Sequence, residues 1–162
     1  MSVRPLRTIL LADDNIDDCD LVREAWREAP VGQELRCVFD GTELLAYLNR
    51  EGQFSDHQSA PRPSLILLDL HMPKMTGHEA LAIVKENPAY SRIPIIVLTT
   101  SKAPRDINKS AIRGAHGYIH KPNTFSGYLQ LLANIQTHWQ EIVDRPFSAD
   151  SHGGWLGHPA YC

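Results

Sequence analysis

The sequence predicts an α/β domain: a five-stranded parallel sheet with helices on both faces. Two observations predict it. Short, almost purely apolar runs alternate along the chain with stretches of helical periodicity, the order that builds a parallel sheet covered on both sides. Each run then gives way to polar residues, a loop and a helix, so the carboxyl ends of the strands gather along one edge. Open α/β sheets bind their ligands at that edge, where the strand order reverses.

The elements follow in order. Arg7–Ala12 reads as the first strand and leads into Asp13-Asp14-Asn15, with a helix over Ile16–Glu28 carrying Cys19 and Trp26 on its packed face. Leu35–Phe39 is the second strand and Gly41–Arg50 the second helix. A long polar loop over residues 52–63 precedes the third strand, Ser64–Asp69, whose run Leu65-Ile66-Leu67-Leu68 is the most apolar in the chain. Gly77–Asn87 is helical, Pro94–Thr99 is the fourth strand and Pro104–Arg113 the fourth helix. The fifth strand is His116–His120, followed by Lys121-Pro122. A last helix is predicted over Thr124–Val143, because Phe125, Tyr128, Leu129, Leu132, Ile135, Trp139 and Ile142 recur at spacings of three and four. Beyond it the chain is rich in Pro, Gly, Ser and His and has no period. The expected organisation is one domain over residues 6–143 and a flexible tail over 144–162.

Composition narrows the function classes. A hydrophobic fraction of 43% and a charged fraction of 22% are those of a soluble globular protein. No apolar run nears the roughly 20 residues a membrane span needs, and the N-terminus carries no separate apolar leader. A cytoplasmic protein without a membrane partner is expected. Cys19, Cys37 and Cys162 are odd in number and widely spaced, which fits reduced thiols rather than disulfides or structural zinc. His152, His158 and Cys162 lack ligand-like spacing. A net charge of −3 weighs against nucleic acid as the partner.

The chemistry sits at the strand ends. Asp13, Asp14 and Asp69 bring carboxylates to one edge, an arrangement that raises pKa values unless a cation neutralises it. Hard oxygens with room for water and phosphate suit Mg²⁺, or Mn²⁺ in its place. Capping of the first helix accounts for one residue of Asp13-Asp14-Asn15; it does not account for Asp69. Alone, Asp69 reads equally well as a loop-facing acid. Beside a metal it can act as a nucleophile toward a phosphoryl group, forming an acyl phosphate. Lys121 is the natural counter-charge, and a cis Lys121–Pro122 bond would aim it inward. Thr99 can donate a hydrogen bond to a phosphoryl oxygen, or be an ordinary β-branched strand residue; Thr100 is the other candidate.

These residues, in this order, resemble the receiver domain of a two-component response regulator. The resemblance is carried by Asp13-Asp14, by Leu67-Leu68-Asp69-Leu70-His71-Met72-Pro73 with Gly77, by Leu98-Thr99-Thr100-Ser101, and by Gly117-Tyr118-Ile119-His120-Lys121-Pro122. It implies a flavodoxin-like receiver fold with strand order 2-1-3-4-5. It implies that Asp69 is the phosphoacceptor, that Asp14 binds the metal directly and Asp13 assists, and that the backbone carbonyl of His71 is a further ligand. Lys121 would pair with the phosphoryl group, Thr99 would be the switch hydroxyl, and Tyr118 would occupy the aromatic switch position, unless it is a plain strand residue. The donor implied is a sensor histidine kinase. The long loop, the Leu-Thr-Thr-Ser run and Trp139 resemble single-domain regulators that serve phytochrome-like kinases.

The signal is then expected to leave through contact with a downstream protein. A homodimer through the face of the fourth helix, fifth strand and fifth helix is one reading of that face; a helix packed on its own sheet is the other. The ring of His71 either screens the attacking water or is simply solvated. A Mg²⁺-dependent phosphatase of the haloacid dehalogenase type is the alternative. It needs a second acid two residues after its nucleophile, where this chain has His71. No enzymatic turnover is expected beyond the chain's own phosphotransfer and autodephosphorylation.

Overall fold

The computed structural model describes residues 5–56 and 58–144. Five parallel strands, β1 Thr8–Ala12, β2 Glu34–Val38, β3 Leu65–Leu68, β4 Ile95–Thr99 and β5 Gly117–His120, form one sheet in the order β2-β1-β3-β4-β5. Between them run α1 Ile16–Glu28, α2 Gly41–Asn49, α3 Gly77–Glu86 and α4 Pro104–Ile112, with α5 Phe125–Thr137 and α6 Trp139–Asp144 following β5. The sequence placed these strands and the first four helices to within a residue or two at each end. Of the tail expected over 144–162, Asp144 belongs to α6 and the rest lies outside the described residues, as does His57 within the long loop.

Period-two side-chain alternation splits the core into two layers. Leu10 and Ala12 of β1, Ile66 and Leu68 of β3, and Ile95 and Val97 of β4 face α2 and α3. Ile9 and Leu11, Leu65 and Leu67, and Ile96 and Leu98 face α1, α5 and α6. Both faces of the central strands are fully buried, which is why they read as unbroken apolar runs rather than alternating ones.

The helix starts are set by side-chain caps. Asn15 Oδ1 accepts from Asp18 N, Asp40 Oδ1 from Glu43 N, and Thr124 Oγ1 from Gly127 N. Thr76 caps α3 in the same way, with Thr76 Oγ1 accepting from Glu79 N and donating to Glu79 Oε1. The residue of Asp13-Asp14-Asn15 that caps α1 is therefore Asn15, and both aspartates are free for other work.

Two sequence expectations change. The single helix over Thr124–Val143 is broken at His138, whose φ of −103° and ψ of 16° leave the helical region. Thr137 Oγ1 donates back to Ala133 O at 2.9 Å, a bond that competes with the ladder and bends helices. The apolar period survives the break because Trp139 and Ile142 still pack into the same layer as Leu132 and Ile135. In addition, no peptide bond is cis among the described residues, so Lys121–Pro122 is trans. Within the long polar loop, residues Gly52–Phe54 form a 3₁₀ turn. Phe54 packs on the Tyr47 ring at 5.2 Å, and Tyr47 OH donates to Pro61 O.

The strand order places the reversal between β1 and β3. The loop after β1 leads to α1 on one face, and the loop after β3 to α3 on the other, opening a crevice above Asp13 and Asp69. Gly77 starts α3 pressed against the backbone of Asp69 and Leu70, where any Cβ would collide. Helix propensity favours Ala over Gly at such a position by about 1 kcal/mol. We expect Gly77→Ala nonetheless to destabilise the fold by about 1–3 kcal/mol through overpacking against rigid backbone, read as a lower urea midpoint.

Candidate functional site

Three side chains are delivered to the crevice by backbone bonds that extend the sheet one residue past its strands. Asp13 N donates to Val38 O, Asp69 N to Ala12 O, and Lys121 N to Thr99 O. Each residue is thereby held against the neighbouring strand, and the aim of Lys121 follows from this ladder without a cis bend. Asp13, Asp69 and Lys121 are nearly inaccessible to solvent.

The Lys121 ammonium is the centre of the site. Its Nζ lies 2.8 Å from Asp13 Oδ2, 2.8 Å from Asp18 Oδ2 and 3.1 Å from Asp69 Oδ2. An ammonium has three donors, and here each has a carboxylate. Burial works to lower its pKa, but the hydrogen bonds to Asp13 and Asp18 and the nearby charges outweigh that, and the net shift is upward. Lys121 is held firmly as a cation.

Asp18 was not singled out from the sequence. In the first turn of α1 it reads as an acid that favours the helix dipole, and its backbone N–H does meet the Asn15 cap. Its spacing of one helical turn from the strand end was the available signal: a side chain there points back over Asp13 and Asp14.

The acids outnumber the base. Asp13, Asp14, Asp18 and Asp69 face one ammonium. Burial, opposed by the Lys121 and Asn15 hydrogen bonds and reinforced by Asp69, pushes the Asp13 pKa up to about 6. Oxygens of Asp13, Asp14 and Asp69 lie within 4.8 Å of one another, with Asp14 exposed at the mouth. A hard-oxygen donor set carrying excess negative charge fits a divalent cation such as Mg²⁺ or Mn²⁺. Asp69 Oδ1 accepts from His71 N at 3.3 Å, while the His71 side chain is exposed. No acid sits two residues beyond Asp69, and the geometry gives a dehalogenase-type phosphatase nothing to work with.

Thr99 ends β4 fully buried, whereas Thr100 is exposed. Thr99 Oγ1 accepts from Ser101 N at 3.3 Å, within its own loop. Tyr118 is buried in the α2–α3 layer, and its OH donates to Ser101 O at 2.9 Å.

Comparison with known proteins agrees with this geometry. Residues 9–133 match the model of the response regulator receiver domain. The chain belongs to the response regulator receiver family. It is 36% identical over 142 residues to the response regulator Rcp1 of Synechocystis sp., covering 88% of this chain and 95% of that one. The structure of the phosphorylated cyanobacterial phytochrome response regulator RcpA superimposes with a TM-score of 0.74 at 40% identity, covering 83% of this chain and 94% of that one. The Mn²⁺-bound form of Rcp1 gives a TM-score of 0.72 at 36% identity, covering 83% and 95%. As a receiver, the chain is phosphorylated on an aspartate in a two-component system and has a sensor histidine kinase as its partner. Receivers are phosphoryl acceptors rather than enzymes with a separate substrate. No helix of the described residues is long and apolar enough to cross a membrane.

The Asp13 shift carries a sign that can be tested. Between about pH 4 and pH 6 the folded state holds more protons than the unfolded one, so this group's contribution to stability falls as pH rises through that window. Protons and a divalent cation compete for the same carboxylate. The gain in Tm on adding Mg²⁺ is therefore expected to grow from pH 5 to pH 7.5, and a gain independent of pH would exclude Asp13 as the competing group.

Proposed function

We propose that residues 6–143 form a receiver unit whose phosphoacceptor is Asp69, loaded by a phytochrome-like sensor histidine kinase. The observation that carries this is the contact of Asp69 Oδ2 with Lys121 Nζ at 3.1 Å, beside carboxylates of Asp13 and Asp14 grouped within 4.8 Å. A nucleophile, a fixed counter-charge and a cation-binding set stand at one strand edge. The kinase assignment is supported by the likeness to RcpA, a cyanobacterial phytochrome response regulator, and to the bacteriophytochrome response regulator AtBRR at 32% identity and a TM-score of 0.66.

Asp14 and Asp69, with Asp13 assisting and the His71 carbonyl as a further ligand, would hold the divalent cation. When bound, it supplies charge neutralisation for an incoming phosphoryl group. The residues do the rest. An Asp69 carboxylate oxygen attacks phosphorus as the bond to the donor imidazole breaks, leaving an acyl phosphate and a histidine. Lys121, already charged and already beside Asp69, offsets the added negative charge. The Thr99 hydroxyl then turns from Ser101 N to a phosphoryl oxygen, and the β4–α4 loop follows. Tyr118, bonded to Ser101 O, carries that movement to its own surface. Hydrolysis of the acyl phosphate by water restores Asp69, so the chain acts catalytically only on itself. The exposed His71 ring is solvated and takes no part in positioning Asp69.

The output surface is the face of α4, β5 and α5. Ile112 of α4 is 86% exposed and Phe125 of α5 37%, and a groove of about 210 Å³ is lined by Ser101, Lys102, Ile107, Tyr118 and His120. We assign this face to a homodimer and to a downstream protein partner. The free thiols of Cys19 and Cys37 fit a reducing, cytoplasmic setting.

Incubation with acetyl phosphate and Mg²⁺ should add one phosphoryl mass to the protein, and Asp69→Asn should abolish the gain; labelling that persists in the variant would refute Asp69. Sedimentation should show a shift toward dimer on adding the phosphoryl donor, whereas a monomer in both states would remove the dimer.

A further inference from the structure

The β4–α4 loop is tied down by more than the switch residues. Every polar group of Ser101 is engaged. Its N–H donates to Thr99 Oγ1 at 3.3 Å, its carbonyl accepts from Tyr118 OH at 2.9 Å, and its hydroxyl donates to Asp106 Oδ2 at 2.5 Å while accepting from Ala103 N at 3.3 Å. One residue back, the Thr100 carbonyl accepts from His120 Nε2 at 3.1 Å.

The bond to Asp106 opens a second chain of contacts, toward α3. Asp106 Oδ1 lies 3.0 Å from His78 Nε2, and because an ionised carboxylate only accepts, that nitrogen carries the proton and donates. Both side chains are largely shielded, at 13% and 19% exposure, so water competes poorly for the pair. The hydrogen bonds from Ser101 and His78 outweigh burial and hold the Asp106 carboxyl below its usual range. Arg113, at the end of α4, donates to the His78 carbonyl at 2.7 Å, so both ends of α4 are fastened to the first turn of α3. His78 follows Gly77, whose Cα abuts the Asp69 backbone. The contacts thus make a chain that runs from Asp69 through Gly77, His78, Asp106 and Ser101 to Thr99.

We infer that His78 and Asp106 are positioning residues for the phosphorylation switch: through Ser101 they hold the Thr99 hydroxyl on its own loop and set how readily a phosphoryl group on Asp69 can recruit it. The inference rests on the assignment of Asp69 as phosphoacceptor. Thr99 Oγ1 accepts from Ser101 N and keeps its own proton to donate, so a pull on that hydroxyl toward Asp69 is passed to Ser101, which is anchored by its bond with the His78-paired Asp106. These bonds stabilise the unphosphorylated arrangement. Removing them lowers the cost of leaving it, so a ligand that favours the other arrangement binds more tightly.

Beryllofluoride with Mg²⁺, a phosphoryl mimic, gives the test, with affinity measured by calorimetry on the full chain. His78→Leu and Asp106→Ala should each tighten binding by about five- to tenfold, within the usual range of coupling between sites. Ser101→Ala, a smaller change that leaves the His78–Asp106 pair intact, should tighten it as well. His78→Gln keeps a donor for Asp106 and should bind like the parent. In a Thr99→Ala background, His78→Leu should no longer alter affinity, because the hydroxyl it releases is gone. A general loosening of the fold would not obey that last condition. Unchanged or weaker binding in His78→Leu, Asp106→Ala and Ser101→Ala would overturn the inference, as would tightening that persists without Thr99. Failure of the parent to bind beryllofluoride would instead overturn the phosphoacceptor assignment, and this inference with it.

Discussion

The ammonium of Lys121, shared among Asp13, Asp18 and Asp69, is the interaction on which the rest of the site depends. The carboxylates of Asp13 and Asp69, both buried, repel one another, and removing Lys121 would leave buried charge without compensation, a cost of several kcal/mol. The sheet keeps the group together because Asp13, Asp69 and Lys121 each sit one residue beyond a strand whose side chains are locked into both core layers, with Asp18 added from α1. Register therefore does chemical work. A slip of one residue in β3 would turn Asp69 into the opposite layer and bring Leu70 to the crevice.

One positive charge against four negative ones also explains what the site can accept. It is over-supplied with carboxylate for the ammonium alone, and Asp13, whose pKa burial pushes up to about 6 with a smaller contribution from the Asp69 charge, is costly to keep ionised there. A divalent cation relieves it, and the combined positive charge then favours an anion above Asp69. Helix α1 contributes beyond packing: it is capped by Asn15 and supplies Asp18 as the third partner of Lys121, so the element that shapes the crevice wall also sets its charge.

From Thr99 outward the structure changes character, from apolar packing to a chain of polar contacts. Ser101 is joined to β5 through Tyr118 and to α3 through Asp106 and His78. Hydrogen-bonded loops of this sort can hold two discrete arrangements more easily than a close-packed core can deform, which suits a surface that must report a local change of charge. Position alone hands β5 a part in this: Tyr118 looks into the α2–α3 layer while its hydroxyl reaches the loop.

Much of this was determined by the sequence itself. Apolar runs such as Leu65-Ile66-Leu67-Leu68 could only be strands buried on both faces, and the polar residues that close them had to meet at one edge. Asp13, Asp14, Asp69 and Lys121 were legible for that reason, since they directly follow apolar strands; between Thr99 and Thr100 the residues left the choice open, and only the resemblance to receiver domains named Thr99. What escaped was set by contacts distant in the chain. The helical period of Leu132, Ile135, Trp139 and Ile142 runs unbroken through His138, so only the packing of the folded chain and the Thr137 back-bond reveal where the helix bends. Asp18 looks like any acid in a first helical turn until β5 brings Lys121 across from 103 residues away. His78 and Asp106 are 28 residues apart and belong to helices whose relative placement no local pattern encodes. Periodicity and strand endings are properties of a segment; a charge partner is a property of the space between segments, and only the tertiary fold defines that space.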